Sequence, residues 1–266
     1  MRTCSSAKLA LASLGLLTAL GSDPARGSEL YLSGDLGISW TEGEGVGTND
    51  VVGVSNEGTG EDATPVYGGA LGAIFPMNSV LPWKWRMPGF REEASFPEWP
   101  VRFEVEHLRG RDAELATPSF NPFDSYRVDV NAWTLMGKVR VDLPISTPIE
   151  AVYGRVPFLE PFSLYTGAGA GMSQTEIRVN TGVLTGSKDH GQMAWQALAG
   201  FGYELSEHMT LSVGWRYVDF GQTKFRLFDA SGTDRGRYKM DLSAHEFTTS
   251  LTVWFWRLPP LLGEDE

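Results

Sequence analysis

MAWQALAGFGYELSEHMTLSVGWRYVDFG, residues 193–221, is the stretch on which the reading of the fold turns. Trp195, Ala197, Ala199, Phe201, Tyr203 and Leu205 alternate with Gln196, Gly200, Gly202 and Glu204. After the break Ser206-Glu207-His208, Leu211, Val213, Trp215 and Tyr217 alternate with Ser212, Gly214 and Arg216. A period of two means strand, because successive side chains point to opposite faces. Two such runs separated by a short break form an antiparallel hairpin. One face of it is apolar and carries aromatics; the other is small, polar and charged.

The same period recurs outward from this hairpin in both directions. Leu32, Leu36, Ile38 and Trp40 alternate with Ser33, Asp35 and Ser39, and Val101, Phe103 and Val105 with Arg102, Glu104 and Glu106. Leu135, Val139 and Val141 oppose Thr134, Lys138, Arg140 and Asp142, while Phe247, Thr249, Leu251, Val253 and Phe255 oppose Glu246, Thr248, Ser250 and Thr252. Residues 66–75 and 162–172 are glycine-rich with weaker alternation, and their flanking turns make them strands too. The count is eight, each of about 9 to 11 residues, the length that spans a bilayer when tilted.

The polar face separates a soluble barrel from a membrane barrel. Gly200, Gly202 and Gly214 lie among the charges, which suits a crowded interior better than an open surface. The apolar face places Trp40, Phe75, Trp195, Trp215, Tyr217 and Phe255 at or near strand ends, where membrane-interface girdles need rings with one wet edge. The expectation is an all-β, eight-stranded antiparallel up-and-down transmembrane barrel with lipid on its apolar face. Arg102, Glu104, Glu106, Lys138, Arg140, Glu204 and Arg216 then fall inside. Buried charges must be paired, and eight strands leave an interior just wide enough for side chains. Glu104, Glu106 and Glu204 are accordingly expected to pair with Arg102, Lys138, Arg140 and Arg216 in a plug of ion pairs. A narrow gated pore is the alternative.

Composition and the N-terminus agree with export. Arg2 and Lys8 precede the apolar run 9–20 (LALASLGLLTAL), followed by small residues at Ala25 and Gly27; this is the pattern of a secretory signal peptide. Twelve apolar residues are too few to span a bilayer as a helix, and Cys4 lies before the run, unlike a lipoprotein cysteine. The expected division is residues 1–27 as cleaved signal, 28–256 as barrel and 257–266 as a periplasmic tail. Cleavage removes Arg2, Lys8, Arg26 and Asp23, moving the net charge from −11 to −13 and leaving no cysteine. An acidic chain of this kind is no sequence-independent nucleic-acid binder. A mean hydropathy of −0.17 in a chain that is 12% aromatic is the average of one face for lipid and one for a polar interior.

Residues 193–221 resemble the sixth and seventh strands of the small outer-membrane β-barrel proteins, the opacity-type surface antigen and outer-membrane protein A-like group. The resemblance rests on Trp195-Gln196, the tight turn at Ser206–Glu207–His208, Trp215-Arg216-Tyr217 and Asp219-Phe220-Gly221. Residues 164–171 (LYTGAGAG) resemble the group's fifth strand, 101–109 (VRFEVEHLR) its third and 244–255 its last. The resemblance implies outer-membrane localisation, contact with outer-membrane lipid and lipopolysaccharide, and insertion by the barrel-assembly machinery. Two departures stand out. Phe255 is followed by Trp256 and a tail rather than ending the chain, so assembly would read an internal signal. The segment from Pro76 to Pro100 is long for a periplasmic turn and carries Trp83, Trp85, Phe90, Phe96 and Trp99. It reads as an elongated turn anchored at the headgroups, with partner docking as the other reading.

Candidate chemistry is sparse. Gly167-Ala168-Gly169-Ala170-Gly171-Met172 lacks the spacing of a dinucleotide fingerprint, and no helix follows. His107, His190, His208 and His245 are scattered, without metal-ligand spacing. No catalytic, cofactor-binding or metal-binding residue is assigned, and no cofactor is expected. The outward segments include 41–64, acidic with no Lys or Arg, a solvated loop or a site for calcium or for a host or surface ligand. They also include 223–242, where Phe225, Leu227, Tyr238 and Met240 would extend the strands past the membrane. The expected role is structural, or surface interaction through these loops, without enzymatic activity. The competing classes are an outer-membrane lipid-modifying enzyme and a soluble lipid-binding barrel.

Overall fold

A computed structural model describes residues 29–49, 54–80, 99–118, 125–146, 149, 156–180 and 184–257. The strands are β1 (Glu29–Asn49), β2 (Val54–Pro76), β3 (Pro100–Pro118), β4 (Ser125–Pro144), β5 (Phe162–Asn180), β6 (Leu184–Ser206), β7 (Met209–Asp229) and β8 (Asp234–Arg257). A four-residue helix, α1 (Met77–Val80), follows β2, and a 3-10 turn (Pro157–Leu159) precedes β5. Every strand pairs antiparallel with its neighbour in sequence, and β8 closes on β1. The proposed signal (1–27), the tail beyond Arg257 and most of the 76–100 insertion lie outside the described residues. In the insertion's described ends, the Met77 amide donates to the Trp99 carbonyl at 2.8 Å.

The strands are 19 to 24 residues long, twice the 9–11 residues that the alternation alone delimits. The apolar outer band occupies only one half. Its lower ring contains Phe75 against Phe103, centroids 5.9 Å apart, Phe162 against Tyr203 at 4.9 Å, and Phe255. In its upper ring Trp40 is in register with His245, and His245 with Tyr217. Tyr217 packs on Trp195 at 5.4 Å, and His107 on Trp133 at 5.5 Å. Trp215 lies two residues below Tyr217 and stacks on His245. Between the rings Leu32, Leu36, Ile38, Leu71, Phe201 and Leu251 are exposed. From His245 to Phe255 along one tilted strand is about 25 Å, the height of an outer-membrane apolar band. The lower end carries the tight β6–β7 turn and is periplasmic; the long charged upper half is extracellular.

Above the upper ring the barrel changes character. Pairing of β2 with β3 runs from Pro76/Pro100 to Tyr67/Arg109 and stops there among the described residues. Pro65 offers no backbone N–H to continue it, and Gly110 (φ 97°) forms a bulge. The Asp62 carboxylate spans the gap instead, accepting the Ala63 and Glu114 amides at 2.8 and 2.9 Å. On the opposite wall β6 and β7 part above Trp195/Asp219 and meet again only at Thr185/Phe228. Here too a positive-φ glycine, Gly221 (80°), marks the break, and Lys188 Nζ crosses it to the Lys224 carbonyl at 2.6 Å.

Two seams four strands apart divide the extracellular half into two sheets, β3–β6 and β7–β8–β1–β2. Their facing sides hold a buried apolar core. Leu115, Val128, Val130, Ile177 and Val179 come from the first sheet, and Phe220, Leu227, Tyr238, Met240 and Leu242 from the second. β1 contributes glycines, since a Cβ on Gly43 would lie 2.1 Å from Met240 Cε and 2.7 Å from Leu115 Cδ1. Outward residues here are charged and exposed, including Glu42, Glu44, Asp112, Glu114, Arg127 and Arg226. The inward face of the barrel therefore changes polarity at the upper ring. With lipid outside, the polar face turns in; with water outside, the apolar face turns in, as in a soluble sandwich. Segment 41–64 needs correction, because β1 and β2 stay paired from Thr41/Asp62 up to Asn49/Val54. The β7–β8 extension does form, with strands reaching Asp229 and Asp234.

Candidate functional site: the lumenal ion-pair network

Even positions of β4, β6 and β8 and the even positions of β3 and β7 below their bulges point into the lumen. Near the periplasmic end Arg102 and Arg140 both bind Asp142, Arg140 Nε at 2.6 Å. Their planar cations also lie against rings: Arg140 3.7 Å from the Tyr165 centroid, Arg102 4.7 Å from a Trp254 ring centroid. One layer up, Lys138 Nζ sits 2.6 Å from Glu104 and 2.5 Å from Glu106, and the Tyr31 hydroxyl donates to Glu104 at 2.6 Å. Higher still, Arg216 donates to Glu106 at 2.7 Å and to Glu246 at 2.8 Å. Gln196 adds a donor to Glu106 at 3.2 Å. Arg111 caps the stack, bound to Glu246 at 2.5 Å and to Thr134 Oγ1 at 3.2 Å.

These groups are almost wholly buried. Five cations (Arg102, Arg111, Lys138, Arg140, Arg216) face five acids (Asp35, Glu104, Glu106, Asp142, Glu246), so the network sums to neutrality. Removing charges from water is costly unless each is paired and hydrogen-bonded, and most of these make two or more such contacts. The result is a cross-brace that ties opposite walls of the barrel through the lumen.

Six of the seven expected lumenal residues meet in this network. The seventh, Glu204, requires correction: it is exposed and, among the described residues, forms no ion pair. It pairs across β6–β7 with Thr210, beside the turn, where water solvates a carboxylate and no partner is required. It lines the periplasmic mouth, a cavity of about 200 Å³ with Glu29, Glu160 and Glu207 on its rim and Arg102 and Asp142 at its wall. Asp35, Asp142, Glu246 and Arg111 are the members missing from the expected set. The first three stand at alternating polar positions. Arg111 escapes such reading because the Gly110 bulge reverses the parity of β3 above it.

The six interface aromatics all lie on the outer face, Phe75 and Phe255 in the lower ring, Trp40, Trp195, Trp215 and Tyr217 at the upper one. Of the histidines, His107 contacts the Thr134 carbonyl at 3.0 Å and Arg109 at 2.8 Å, while His245 packs between Trp215 and Tyr217. Among the described residues no three His, Cys, Asp or Glu converge as metal ligands.

The family model "Outer membrane protein beta-barrel domain" matches residues 9–255. No curated protein sequence matches the chain. Among solved structures, Neisserial surface protein A is 14% identical, with 86% of this chain and 100% of that one covered and a TM-score of 0.37. OprG of Pseudomonas aeruginosa is 12% identical, with coverage of 89% and 98% and a TM-score of 0.44. The outer-membrane protease OmpT of Escherichia coli is 11% identical, with coverage of 85% and 97% and a TM-score of 0.43. With the family model matched over almost its whole length and the strands closed in a ring with an apolar outer band, the chain belongs to the outer-membrane protein β-barrel domain family and resides in the outer membrane.

Proposed function

We propose that the chain is a non-enzymatic outer-membrane protein that works through its extracellular half, with the membrane-spanning half as a sealed anchor. One contrast carries this reading. The membrane lumen is filled by a charge-balanced, buried network, whereas the extracellular half is a folded sandwich with a charged exterior. Its acidic β1–β2 wall, where Glu42 stands directly opposite Glu61, supports a contact with a cationic ligand or neighbouring surface. Like charges placed directly across a ladder weaken it, so their presence there favours an interaction role.

Complementation of a deletion strain tests this. Restoration of envelope resistance to detergent, or of surface binding, by the parent chain and by E106A/R216A, but not by E42Q/E44Q/E61Q, supports a role of the outer acidic wall. Turnover of phospholipid or lipopolysaccharide by the purified protein contradicts it.

A further inference from the structure

Cations on the extracellular wall are concentrated on one hairpin. On the outer faces above the upper ring, β1 to β5 present Glu42, Glu44, Asp112, Glu114, Asp129 and Glu176. Of the described arginines there, Arg127 and Arg178 are bound to Glu114 and Glu176 at 2.6 and 2.5 Å, and Arg109, just above the ring, donates to His107 at 2.8 Å. The β7–β8 hairpin is the reverse. Lys224 stands directly opposite Lys239, and Arg226 directly opposite Arg237. All four lie at outward positions and form a two-by-two block of positive charge. Lys188 brings a fifth cation across the β6–β7 seam, its Nζ on the Lys224 carbonyl. Asp234 offsets Arg226 at 2.8 Å and Asp241 lies 3.4 Å from Lys239; five cations in one patch stand out on a strongly acidic chain.

Directly opposed like charges destabilise a ladder, and this hairpin carries two such pairs in succession. The strands stay paired there because their inward side chains, Leu227, Tyr238 and Met240, are buried in the sandwich core. The block faces sideways, parallel to the membrane plane. Lys239 is six residues beyond His245 of the upper ring, about 15 Å above it, the level of the sugars attached to the outer-leaflet lipid.

We propose that the outer face of the β7–β8 hairpin binds the phosphorylated inner oligosaccharide of lipopolysaccharide in the surrounding leaflet. Charge complementarity names the ligand chemistry, phosphate on sugar, and the sideways position in the sugar layer names the source. The block gives the barrel a preferred lipopolysaccharide neighbour on one side, with the acidic residues of β1 flanking it below, where Glu44 is in register with Asp241.

The test uses the mature chain refolded in phosphatidylcholine vesicles and titrated with deacylated, phosphorylated lipopolysaccharide oligosaccharide. We expect saturable binding that weakens with salt, about fivefold weaker for each cation removed. The double variant K224S/K239S should therefore bind about 25-fold more weakly, whereas R127S/R178S binds like the parent. Because K224S/K239S relieves repulsion, its heat-modifiable migration should be unchanged. Equal affinity of K224S/K239S and parent, an equal loss in R127S/R178S, or undiminished binding of the dephosphorylated oligosaccharide would overturn the proposal. Binding of heparin with none of the phosphorylated oligosaccharide would also overturn it, because the face would then serve a sulfated polyanion from outside the cell.

Discussion

Glu106 of β3 accepts a hydrogen bond from Arg216 of β7 at 2.7 Å, across the full width of the lumen and between strands four apart in an eight-stranded ring. Opposite walls of the membrane half are thus tied by buried charges, each of which needs a partner. Lys138 and Glu246 extend the tie on either side.

Breaking this tie from one side should be expensive. R216A leaves Glu106 and Glu246 buried without their shared cation, and is expected to destabilise the barrel by about 3–5 kcal/mol. E106A should cost a similar amount, since each single variant leaves one uncompensated lumenal charge: Arg216 keeps Glu246 and Lys138 keeps Glu104 in E106A, as Glu106 keeps Lys138 and Glu246 keeps Arg111 in R216A. The double variant should be more stable than the two losses added together, with a coupling of about 0.5–3 kcal/mol. Urea unfolding in lipid vesicles, followed by gel migration, measures all three.

Two positive-φ glycines, Gly110 at the β2–β3 seam and Gly232 at the β7–β8 tip, are not equally replaceable by side chains. In G110A a new Cβ meets the Pro65 carbonyl oxygen at 2.5 Å, besides the penalty of a φ of 97°. In G232A the φ is 80° but nothing lies within 4 Å. Conformation alone costs about 1–2 kcal/mol, so G232A should show that loss and G110A more. Unfolding midpoints of the two variants give the ranking.

A third expectation concerns the extracellular core. L115A removes a fully buried side chain from the sandwich and should cost about 2–5 kcal/mol. The loss should be local. Hydrogen exchange should quicken in β3 above Gly110 and in the Met240 region of β8, while amides between the two aromatic rings keep their protection.

Asp62 stands in for missing ladder bonds at the β2–β3 seam. D62A withdraws the acceptor of the Glu114 amide, a loss of about 1 kcal/mol at a partly wet site. D62N retains a side-chain carbonyl and should lose less. Cleavage by externally added protease should accelerate in the order parent, D62N, D62A.

How much of this was legible in the sequence follows from where the period of two holds without interruption. Residues 101–106, 134–142, 193–221 and 247–255 alternate cleanly, and the lumenal set around Lys138 and Arg216 follows from them. The extracellular sandwich does not follow, for two reasons. Gly110 and Gly221 each insert a bulge that reverses the parity beyond it. In β8 the parity is unbroken, but the inward residues change from Glu246 and Thr248 to Ala244, Leu242 and Met240, a change that carries meaning only once the membrane boundary is placed at His245. The acidic 41–64 stretch has poor strand formers, and it is held in strand form by pairing with β8 from Ala244 to Gly236. Glu204 looked lumenal by parity, yet parity says nothing of height, and height places it in water at the rim.

Single-channel recording in planar bilayers tests most directly whether the lumen is sealed. The parent protein should show no conductance steps above leak, because the network from Arg102 to Arg111 fills the lumen between the two rings. Stable, reproducible open steps from the correctly folded parent protein would contradict it.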